Sequence, residues 1–359
     1  MARTNRGRAT GGARSGRTVP AKAVEGGGEL EALARIASWL PPAAPGEVWI
    51  GDDAAVVAPH MGELLLTVDV VVEGVHADLG LVGLDDFGWR AVSTAVSDIA
   101  AMGGCADHLL VSIAAPPSTD LALLYTGIID ASSHHGVSVV GGDLSTAKKI
   151  AVTVAVAGHM PEGEKPVLRS GATPGDAIVV TGPLGAAGAG LRILKGRTTA
   201  RPGSGLGQRL IDAHRRPIAR LAEGEVARTC HATAMIDLSD GIASDVRRIA
   251  SASGVGVSLH EVPIAVGATE DEALCGGDDY ELLFCVRDAE GAIRAFEAAG
   301  LRAPLVVGSC ASDPTAILFN GGPLPECGWE HPWLLPEIST VVPEISIVTA
   351  RAKAPPTGT

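Results

Sequence analysis

Short β-branched segments alternate with amphipathic helical segments along most of the chain, and this alternation constrains the fold more than any other feature. Apolar residues recur at helical spacing over residues 29–40, and a nine-residue segment rich in leucine and valine follows at 64–72. The same rhythm resumes after residues 160–175, which are rich in proline, glycine and glutamate. The pattern predicts two domains of mixed α+β or α/β type, joined by this linker.

The predicted organisation has five parts. Residues 1–25 are expected to form a disordered basic tail, 26–160 an N-terminal domain, 161–175 the linker, 176–335 a C-terminal α/β domain, and 336–359 a second tail. A chain of 359 residues is too long for one small core, so two domains agree with its length.

Charge is spread unevenly over the chain. The sequence has 28 Lys+Arg and 41 Asp+Glu, a net charge of −13, yet its first 24 residues carry six basic side chains and no acid. Residues 25–349 keep 20 basic and 41 acidic side chains, a charge of −21. Because contacts to phosphate backbones and anionic lipids need clustered Lys and Arg, no nucleic acid or membrane partner is expected. No apolar stretch reaches about 18 residues, so no transmembrane helix is predicted.

The cysteines favour a cytoplasmic protein with reduced thiols. Six are scattered along the chain, and no two of them form a C-x-x-C pair. A chain of this size can build a core without disulfides. The six are Cys105, Cys230, Cys275, Cys285, Cys310 and Cys327.

Aspartates recur beside glycines and at the ends of apolar segments. One such Asp commonly caps a helix or closes a turn, but Asp69 interrupts an apolar strand and Asp98 an amphipathic helix. Buried carboxylates there would need partners. Several converging carboxylates would raise one another's pKa values unless divalent cations lay between them, and Mg²⁺ prefers such oxygen ligands. The set is Asp53, Asp69, Asp98, Asp143, Asp237 and Asp240.

Several common site types are missing from the sequence. It contains no G-x-x-x-x-G-K-[ST], no H-E-x-x-H and no G-x-S-x-G. The segment 182–188 follows a predicted strand but lacks the G-x-G-x-x-G spacing, so we interpret it as a glycine-rich turn. The pair His134-His135 is interpreted as the solvated end of a helix.

Eight sequence segments occur in the order typical of one enzyme family. Agreement of many ordered motifs is far more specific than a single Asp-Gly pair. The segments span about residues 29–333, and the chain resembles the thiamine-monophosphate kinases, which belong to the aminoimidazole ribonucleotide synthetase-like superfamily. They are GDDAAVV (51–57), TVDVVVEGVH (67–76), VSDIAAMGG (96–104), GGD (141–143), RSGATPGDAIVVTGPLG (169–185), MIDLSDGIASD (235–245), GGDDYELLF (276–284) and GWEH (328–331).

The resemblance implies a fold and an activity. The fold would be the two-domain aminoimidazole ribonucleotide synthetase-like one, with an N-terminal α+β domain that dimerises through its sheet and a C-terminal α/β domain that closes over the site. The activity would be ATP-dependent phosphorylation of thiamine monophosphate to thiamine diphosphate by direct in-line transfer. Several Mg²⁺ ions would assist, and ATP would lie in a cleft formed with the partner of a homodimer.

The resemblance also implies residue roles. Asp98 and Asp240 would be central to catalysis. The implied metal ligands are Asp53, Thr67, the carbonyl of Val68, Asp69, Asp98, Asp143, Asp237 and Asp240. The implied ATP contacts are Gly142, Asp143, Arg169 and Ser239. The implied thiamine monophosphate contacts are His76, Asp278 and Trp329.

The sequence departs from the family pattern at a few positions. Asp278 stands where Glu is common, so its substrate contact is in question. Val68 and Leu144 each stand where Thr is common, and Ala77 follows His76 where a large aromatic residue is frequent. None of these changes removes a metal-binding acid.

Two alternative functions remain open. One is another ATP-using member of the superfamily, although Gly26-Gly27-Gly28 is followed by Glu29 rather than by the Cys and Lys of selenophosphate synthetases. The other is a catalytically silent nucleotide-binding regulator, which the retention of all six acids disfavours.

Overall fold

A computed structural model describes residues 29–197 and 205–332 of the protein. The predicted tails, 1–25 and 336–359, lie outside the described residues. The first described element is α1 (Glu29–Trp39), where apolar spacing predicted a helix. Within these ranges no helix is both long enough and apolar enough to cross a membrane.

A four-stranded sheet organises the residues that precede the predicted linker. Its strand order is β1-β4-β2-β3, with β3 parallel to β2 and the other pairs antiparallel. The strands are β1 (Leu64–Val72), β2 (Cys105–Ala115), β3 (Ser138–Thr146) and β4 (Ala151–His159). The predicted bounds of β1 are confirmed at both ends.

The apolar pattern of the sequence predicts a strand over Val137–Val140 that runs into Gly141-Gly142-Asp143. Strand β3 continues through these three residues to Thr146. A Cβ atom on Gly142 would lie 1.9 Å from the carbonyl oxygen of Val111 on β2. Only glycine therefore lets the two backbones approach and pair here. The pairing aligns Asp143 with Ser112.

Helices cover one face of this sheet. They are α2 (Leu84–Ala101) and α3 (Leu121–His135), which pack against each other and against the strands. Helix α2 also packs against α6 (Leu221–Thr229) and β6 (Ala234–Asp237) of the second half, which explains why almost all of its residues are buried. This double packing carries Asp98 to the junction of the two halves.

The prediction that His135 is solvated is wrong. Its Nε2 lies 2.9 Å from the Ser93 hydroxyl, and its ring lies 6.3 Å from that of Trp89. Burial, followed by the neighbouring His134, lowers the pKa of His135 to about 4. The tertiary packing of α3 on α2 decides this, since helix-end position alone suggests exposure.

The other face of the four-stranded sheet is apolar, and no helix of the described residues covers it. Alternate residues of β1 point to this open face, with exposed fractions from 43% at Val70 to 72% at Leu66. Leu110 of β2 is 48% exposed on the same face. A contiguous apolar surface of this kind is typical of an interaction surface.

A seven-stranded sheet organises the second half, in the order β11-β10-β7-β9-β5-β8-β6. Its neighbours are antiparallel except for the parallel pair β7 and β10. The remaining strands are β5 (Ala177–Val180), β7 (Gly256–Leu259), β8 (Leu282–Val286), β9 (Leu305–Ala311), β10 (Ile317–Phe319) and β11 (Gly322–Pro323). Together with the first half, this mixed architecture confirms the predicted fold class.

The helices of the second half include two that the pattern did not predict. Helix α8 is only six residues long and begins with a capping box in which Thr269 and Glu272 bond reciprocally, too short a stretch for periodicity to reveal. Helix α5 is the other. Besides α6, the described helices of this half are α4 (Ala186–Leu194), α5 (Gly205–Arg215), α7 (Ile242–Ser253), α8 (Glu270–Cys275) and α9 (Ala289–Ala298).

Cys275 and Cys327 form a disulfide, so the expectation of reduced thiols is wrong for this pair. Their Cα atoms lie 5.3 Å apart despite a sequence separation of 52 residues, a distance that suits a disulfide. Closing a loop of this length disfavours the unfolded chain by about 4 kcal/mol. Sequence spacing could not reveal the pairing, because folding alone brings the two segments together.

Candidate functional site

A cleft of about 450 Å³ opens where β1 and α2 meet the second half. Thr67 and Asp98 line it from the first half, and Arg169, Met235 and Ala252 line it from the second. The chain therefore builds the cleft walls from segments far apart in sequence, and the predicted ATP contact Arg169 lies beside the predicted metal acid Asp98.

Four of the predicted metal acids approach one another here, and we call them the acidic cluster. Asp69 lies on β1 and Asp98 on α2, while Asp237 ends β6 and Asp240 precedes α7. A short strand that ends at a turn before a helix places both Asp237 and Asp240 at one edge of the larger sheet. Packing of α2 on β6 then brings the two pairs of acids together.

Burial and mutual repulsion raise pKa values in the acidic cluster, as predicted for converging carboxylates. Burial, followed by Asp98 and Asp240, raises the pKa of Asp69 to about 6. Burial, followed by Asp98, raises the pKa of Asp237 to about 7, and Arg169 is among the groups that oppose this rise. Such a group gains stability from a proton or a cation.

Two hydroxyl groups orient the acidic cluster. The Thr67 hydroxyl donates to Oδ2 of Asp98 at 2.5 Å, and the Ser97 hydroxyl donates to Oδ2 of Asp237 at 2.8 Å. Thr67 thus lies at the cleft wall, in contact with Asp98. The side chain of Val68 alternates to the open face and is 61% exposed, so only its backbone could serve the cleft, as the sequence predicted.

Asp245 and Arg248 of α7 belong to the site, although the sequence analysis gave them no role. Oδ2 of the fully buried Asp245 accepts from the backbone N–H of Asp240 at 3.1 Å, and its Oδ1 pairs with Arg248 at 2.8 Å. Arg248 also pairs with the Asp240 carboxylate. Burial, followed by Asp237, raises the pKa of Asp245 to about 8. The sequence does contain a signal for Asp245, because this acidic residue lies on the apolar face of α7.

Asp143 lies away from the acidic cluster within one chain. Strands β1 and β3 are opposite edges of the sheet, three strand spacings or about 14 Å apart. Across the sheet, Asp143 pairs with Ser112, which pairs with Thr153, which pairs with Val70. Residues paired in this way point to the same face of a sheet. Asp143 therefore faces the open side with Val70, whereas Asp69 faces the helices.

Two further predicted site residues are Gly142, on an edge strand, and Asp53, on an exposed segment. Gly142 adjoins Asp143 on the same edge strand, so it too lies far from the acidic cluster of its own chain. Asp53 lies on an exposed segment before β1, and its backbone N–H donates to the Asp52 carboxylate at 2.8 Å.

The segments around Asp278 and Trp329 flank the turn at Ser239-Asp240. The N–H of Asp278 donates to the carbonyl of Ser239 at 2.9 Å, and the N–H of Trp329 donates to that of Asp240 at 3.0 Å. Trp329 is 49% exposed. His76 follows β1, and its Nδ1 accepts from the N–H of Val72 at 3.0 Å.

A buried arginine anchors Asp278. Arg90 of α2 is 1% exposed, and its guanidinium lies 2.8 Å from Oδ1 of Asp278 and also bonds to the carbonyl of His214. Asp278 has a φ of +70°, which Asp tolerates better than most residues. The shorter Asp at this position is thus held by the protein itself.

The glycine-rich turn before α4 does carry a carboxylate. The N–H groups of Gly185 and Ala187 donate to the two oxygens of Asp279 at 2.6 and 3.3 Å. An acidic side chain of the same chain therefore occupies the helix start that a phosphate would need, which agrees with the interpretation of this segment as a turn.

The acidic cluster and Thr67 fit Mg²⁺, because every side-chain donor is an oxygen. Within the described residues no three of the cluster's carboxylates bring oxygens within 4.8 Å of one another. This spacing suits Mg²⁺, which keeps several water ligands and commonly joins one or two carboxylates to phosphate oxygens.

We expect the metal-free protein to lose stability as pH rises from about 6.5 to about 8. The native pKa values of Asp237 and Asp245, about 7 and about 8, exceed those of the unfolded chain, about 3.9. The native state therefore binds more protons, and its stability is lost as pH rises through the native pKa values. Urea unfolding in chelator at several pH values measures the slope, which Asp245→Asn should reduce. A stability that rises over this interval would contradict the assignment.

Comparisons with known proteins agree with the ordered motifs. Residues 51–160 match the family described as AIR synthase related protein, N-terminal domain, and residues 173–317 match the corresponding C-terminal domain. The thiamine-monophosphate kinase of Bacillus subtilis is 35% identical over 272 residues, covering 72% of this chain and 83% of the relative.

Solved structures are similar as well. The thiamine-monophosphate kinase from Stenotrophomonas maltophilia K279a gives a TM-score of 0.71 at 26% identity, covering 82% of this chain and 96% of that one. A structure described as AaThiL complexed with AMPPCP and TMP gives a TM-score of 0.66 at 31% identity, covering 79% and 91%. From these matches and the shared motifs, the chain belongs to the thiamine-monophosphate kinase family.

Proposed function

We propose that the protein transfers the γ-phosphoryl group of ATP directly, in line, to a terminal phosphate oxygen of thiamine monophosphate, giving thiamine diphosphate and ADP. The observation that carries this proposal is the convergence of four carboxylates from both halves beside a cleft that Asp98 and Arg169 line. A relative at 31% identity has a structure described as a complex with AMPPCP and TMP, which supports the same pair of substrates.

The chemistry requires charge neutralisation more than proton transfer. A phosphate monoester has a second pKa of about 6, so the acceptor oxygen is already ionised near neutral pH and needs no general base. The difficulty is that two anions must meet, which is a problem of positioning and electrostatics. Several Mg²⁺ ions held by the acidic cluster would supply that neutralisation.

Other residues of the chain would bind ATP and position the carboxylates. Arg169 lies at the cleft wall, where it would bind ATP phosphate oxygens bidentately. Ser97 and Thr67 hold two carboxylates in fixed orientation. Asp245 and Arg248 hold Asp240 at the turn before α7, so the cation ligands would change little on substrate binding.

Trp329 suits the thiamine end of the acceptor. Its backbone bonds to Asp240 and its side chain is half-exposed. A cationic thiazolium would be attracted to the face of the indole. The disulfide between Cys275 and Cys327 lies near both Asp278 and Trp329 in sequence, and it would hold these two predicted contacts in a fixed relation to the turn.

We propose that the active form is a homodimer, joined through the open apolar face of the four-stranded sheet. Water-exposed leucine and valine side chains on this face would gain from burial. Asp143 faces this side of the sheet and Gly142 adjoins it on the same edge strand, and both are remote from the acidic cluster of their own chain. In a symmetric dimer they would serve the partner's cleft, which also accounts for the predicted role of Asp143.

An ADP-release assay tests the reaction. With ATP and Mg²⁺ present, we expect ADP to form with thiamine monophosphate as acceptor and not with thiamine or with aminoimidazole precursors. Thin-layer or mass analysis of thiamine diphosphate identifies the product. Turnover with an aminoimidazole precursor would favour another activity of the superfamily, and ATP binding without turnover would favour a silent regulator.

A further inference from the structure

Three metal-ligating side chains meet at the end of the four-stranded sheet where β1 begins. Nδ1 of His159 lies 2.7 Å from Oδ2 of Asp107, and Nε2 of His60 lies 3.6 Å from the same oxygen. One donor atom from each residue lies within 4.8 Å of the others. None of the three residues belongs to the kinase site described above.

The backbone is arranged to present these groups together. Residue Asp107 is the extra residue of a β-bulge, because the register of β2 on β4 shifts between Ala106 and His108. A bulge re-aims a side chain at the expense of ladder pairing. His159 is the last residue of β4 and pairs laterally with Leu64 and Cys105, so it lies on the open face of the sheet.

The segment that carries His60 is fixed against the same strand end. The N–H of Met160 donates to the carbonyl of Glu63 at 2.9 Å. A Cβ atom on Gly62 would lie 1.6 Å from the carbonyl oxygen of Met160, so only glycine permits this close approach. The two contacts hold His60 over His159, and their rings stack at 3.6 Å with an angle of 2° between planes.

Two imidazole nitrogens approach one carboxylate oxygen, and together the three groups form a donor set that can hold a cation. Because the lone pair of each ring nitrogen lies in the plane of its ring, two stacked parallel rings do not direct both lone pairs at one ion, so the half-exposed His60 ring would turn out of the stack on binding. The nearby carboxylate of Glu47 is already occupied, since it accepts from the N–H of Ala58 at 2.9 Å and from the indole of Trp49 at 2.8 Å. Asp107 is thus the carboxylate available to the pair.

We propose that His60, Asp107 and His159 bind one Zn²⁺ ion. Two imidazoles and a carboxylate are a donor set that Zn²⁺ accepts, whereas Mg²⁺ prefers oxygen alone. Bonds of about 2.0–2.1 Å in a tetrahedron separate the ligand atoms by roughly 3.4 Å, compared with the 2.7 and 3.6 Å that separate Oδ2 of Asp107 from the nitrogens of His159 and His60. Side-chain exposures of 46% for His60 and 18% for the other two leave the fourth position to water.

The proposed ion has a structural role. It would join the segment before β1 to the ends of β2 and β4, and so fix the start of the strand that carries Thr67 and Asp69. Two chemically distinct cation sites would then coexist, with imidazole selecting Zn²⁺ at the sheet end and carboxylates selecting Mg²⁺ in the cleft. The zinc site does not depend on the kinase reaction.

Metal binding by the full chain tests the proposal. The chain is stripped with chelator, equilibrated with excess Mg²⁺ to occupy the acidic cluster, and dialysed against Zn²⁺ or Co²⁺. We expect one ion per chain, an intense visible spectrum typical of tetrahedral Co²⁺, and a higher melting temperature. His60→Gln and Asp107→Asn should each weaken Zn²⁺ binding at least about tenfold.

His134→Gln is the matched control, since this histidine lies at the end of α3 outside the proposed site, and it should bind Zn²⁺ like the wild type. Melting of each chelated variant is compared with the chelated wild type, and His159→Gln replaces any variant that melts early. Equal Zn²⁺ affinity in the wild type and the ligand variants, or a weak octahedral Co²⁺ spectrum, would overturn the proposal.

Discussion

Asp98→Asn should lower kcat by about 10²–10³-fold while the protein stays folded. Asp98 lies at the centre of the acidic cluster, where it raises the pKa values of both Asp69 and Asp237. Losing its charge weakens cation binding at the place where phosphate charge must be neutralised, and a single electrostatic group in such a site is commonly worth about 10²–10³-fold in rate. Steady-state ADP release at saturating ATP and thiamine monophosphate measures the effect.

The same substitution should raise the stability of the metal-free protein, although it lowers turnover. Without metal, Asp98→Asn removes repulsion between buried carboxylates, so the free energy of unfolding should rise at about pH 8. The stabilisation that Mg²⁺ gives to the wild type should shrink at the same time. Asp130→Asn is the control, because Asp130 is an exposed residue of α3 that pairs with Arg216 at 3.8 Å. Turnover near the wild-type value in Asp98→Asn would refute the proposed mechanism.

Two inactive variants should restore activity when they are mixed. If the partner's Asp143 completes each site, then Asp98→Asn and Asp143→Asn should each lose most turnover alone. In a mixed dimer, one of the two sites would carry neither substitution. Random exchange of subunits makes half of the dimers mixed, so the mixture should recover about a quarter of wild-type activity, a rise of more than about tenfold over either variant.

Differently tagged subunits allow the mixed dimer to be isolated and counted by native mass spectrometry. The control is a mixture of Asp98→Asn with Asp237→Asn, both in the acidic cluster of one chain. Each mixed dimer then keeps one defect in either site, and no recovery is expected. A confirmed Asp98→Asn and Asp143→Asn heterodimer without activity would exclude a shared site.

The sequence predicted much of the fold because local chemistry determines it. The apolar alternation predicted β1 at its observed bounds, and helical spacing over 29–40 and 86–102 predicted α1 and α2 to within two residues. Prediction was incomplete or wrong where distant contacts decide local structure. Strand β3 continues through glycines because Val111 lies against Gly142, and His135 is half-buried because α3 packs on α2.

Some candidate site residues could be identified from the sequence, and others only from the folded structure. Asp69 and Asp98 stood out because a carboxylate in an apolar strand or helix needs a partner, and the structure brings them to one cleft with Asp237 and Asp240. Arg248 and Arg90 carried no comparable signal, and Asp245 was not singled out although it lies on the apolar face of α7. Their importance arises from ion pairs that only the folded chain forms.

By itself the sequence determined which chemistry this protein carries, since residue types, their order and their apolar surroundings are properties of the chain. Tertiary structure alone decided which groups meet. It separates Asp143 from the acidic cluster by the width of a sheet, pairs Cys275 with Cys327, and brings His60 onto His159. The physical reason is that periodicity reports burial along one element, whereas distances between elements depend on strand order, register and packing.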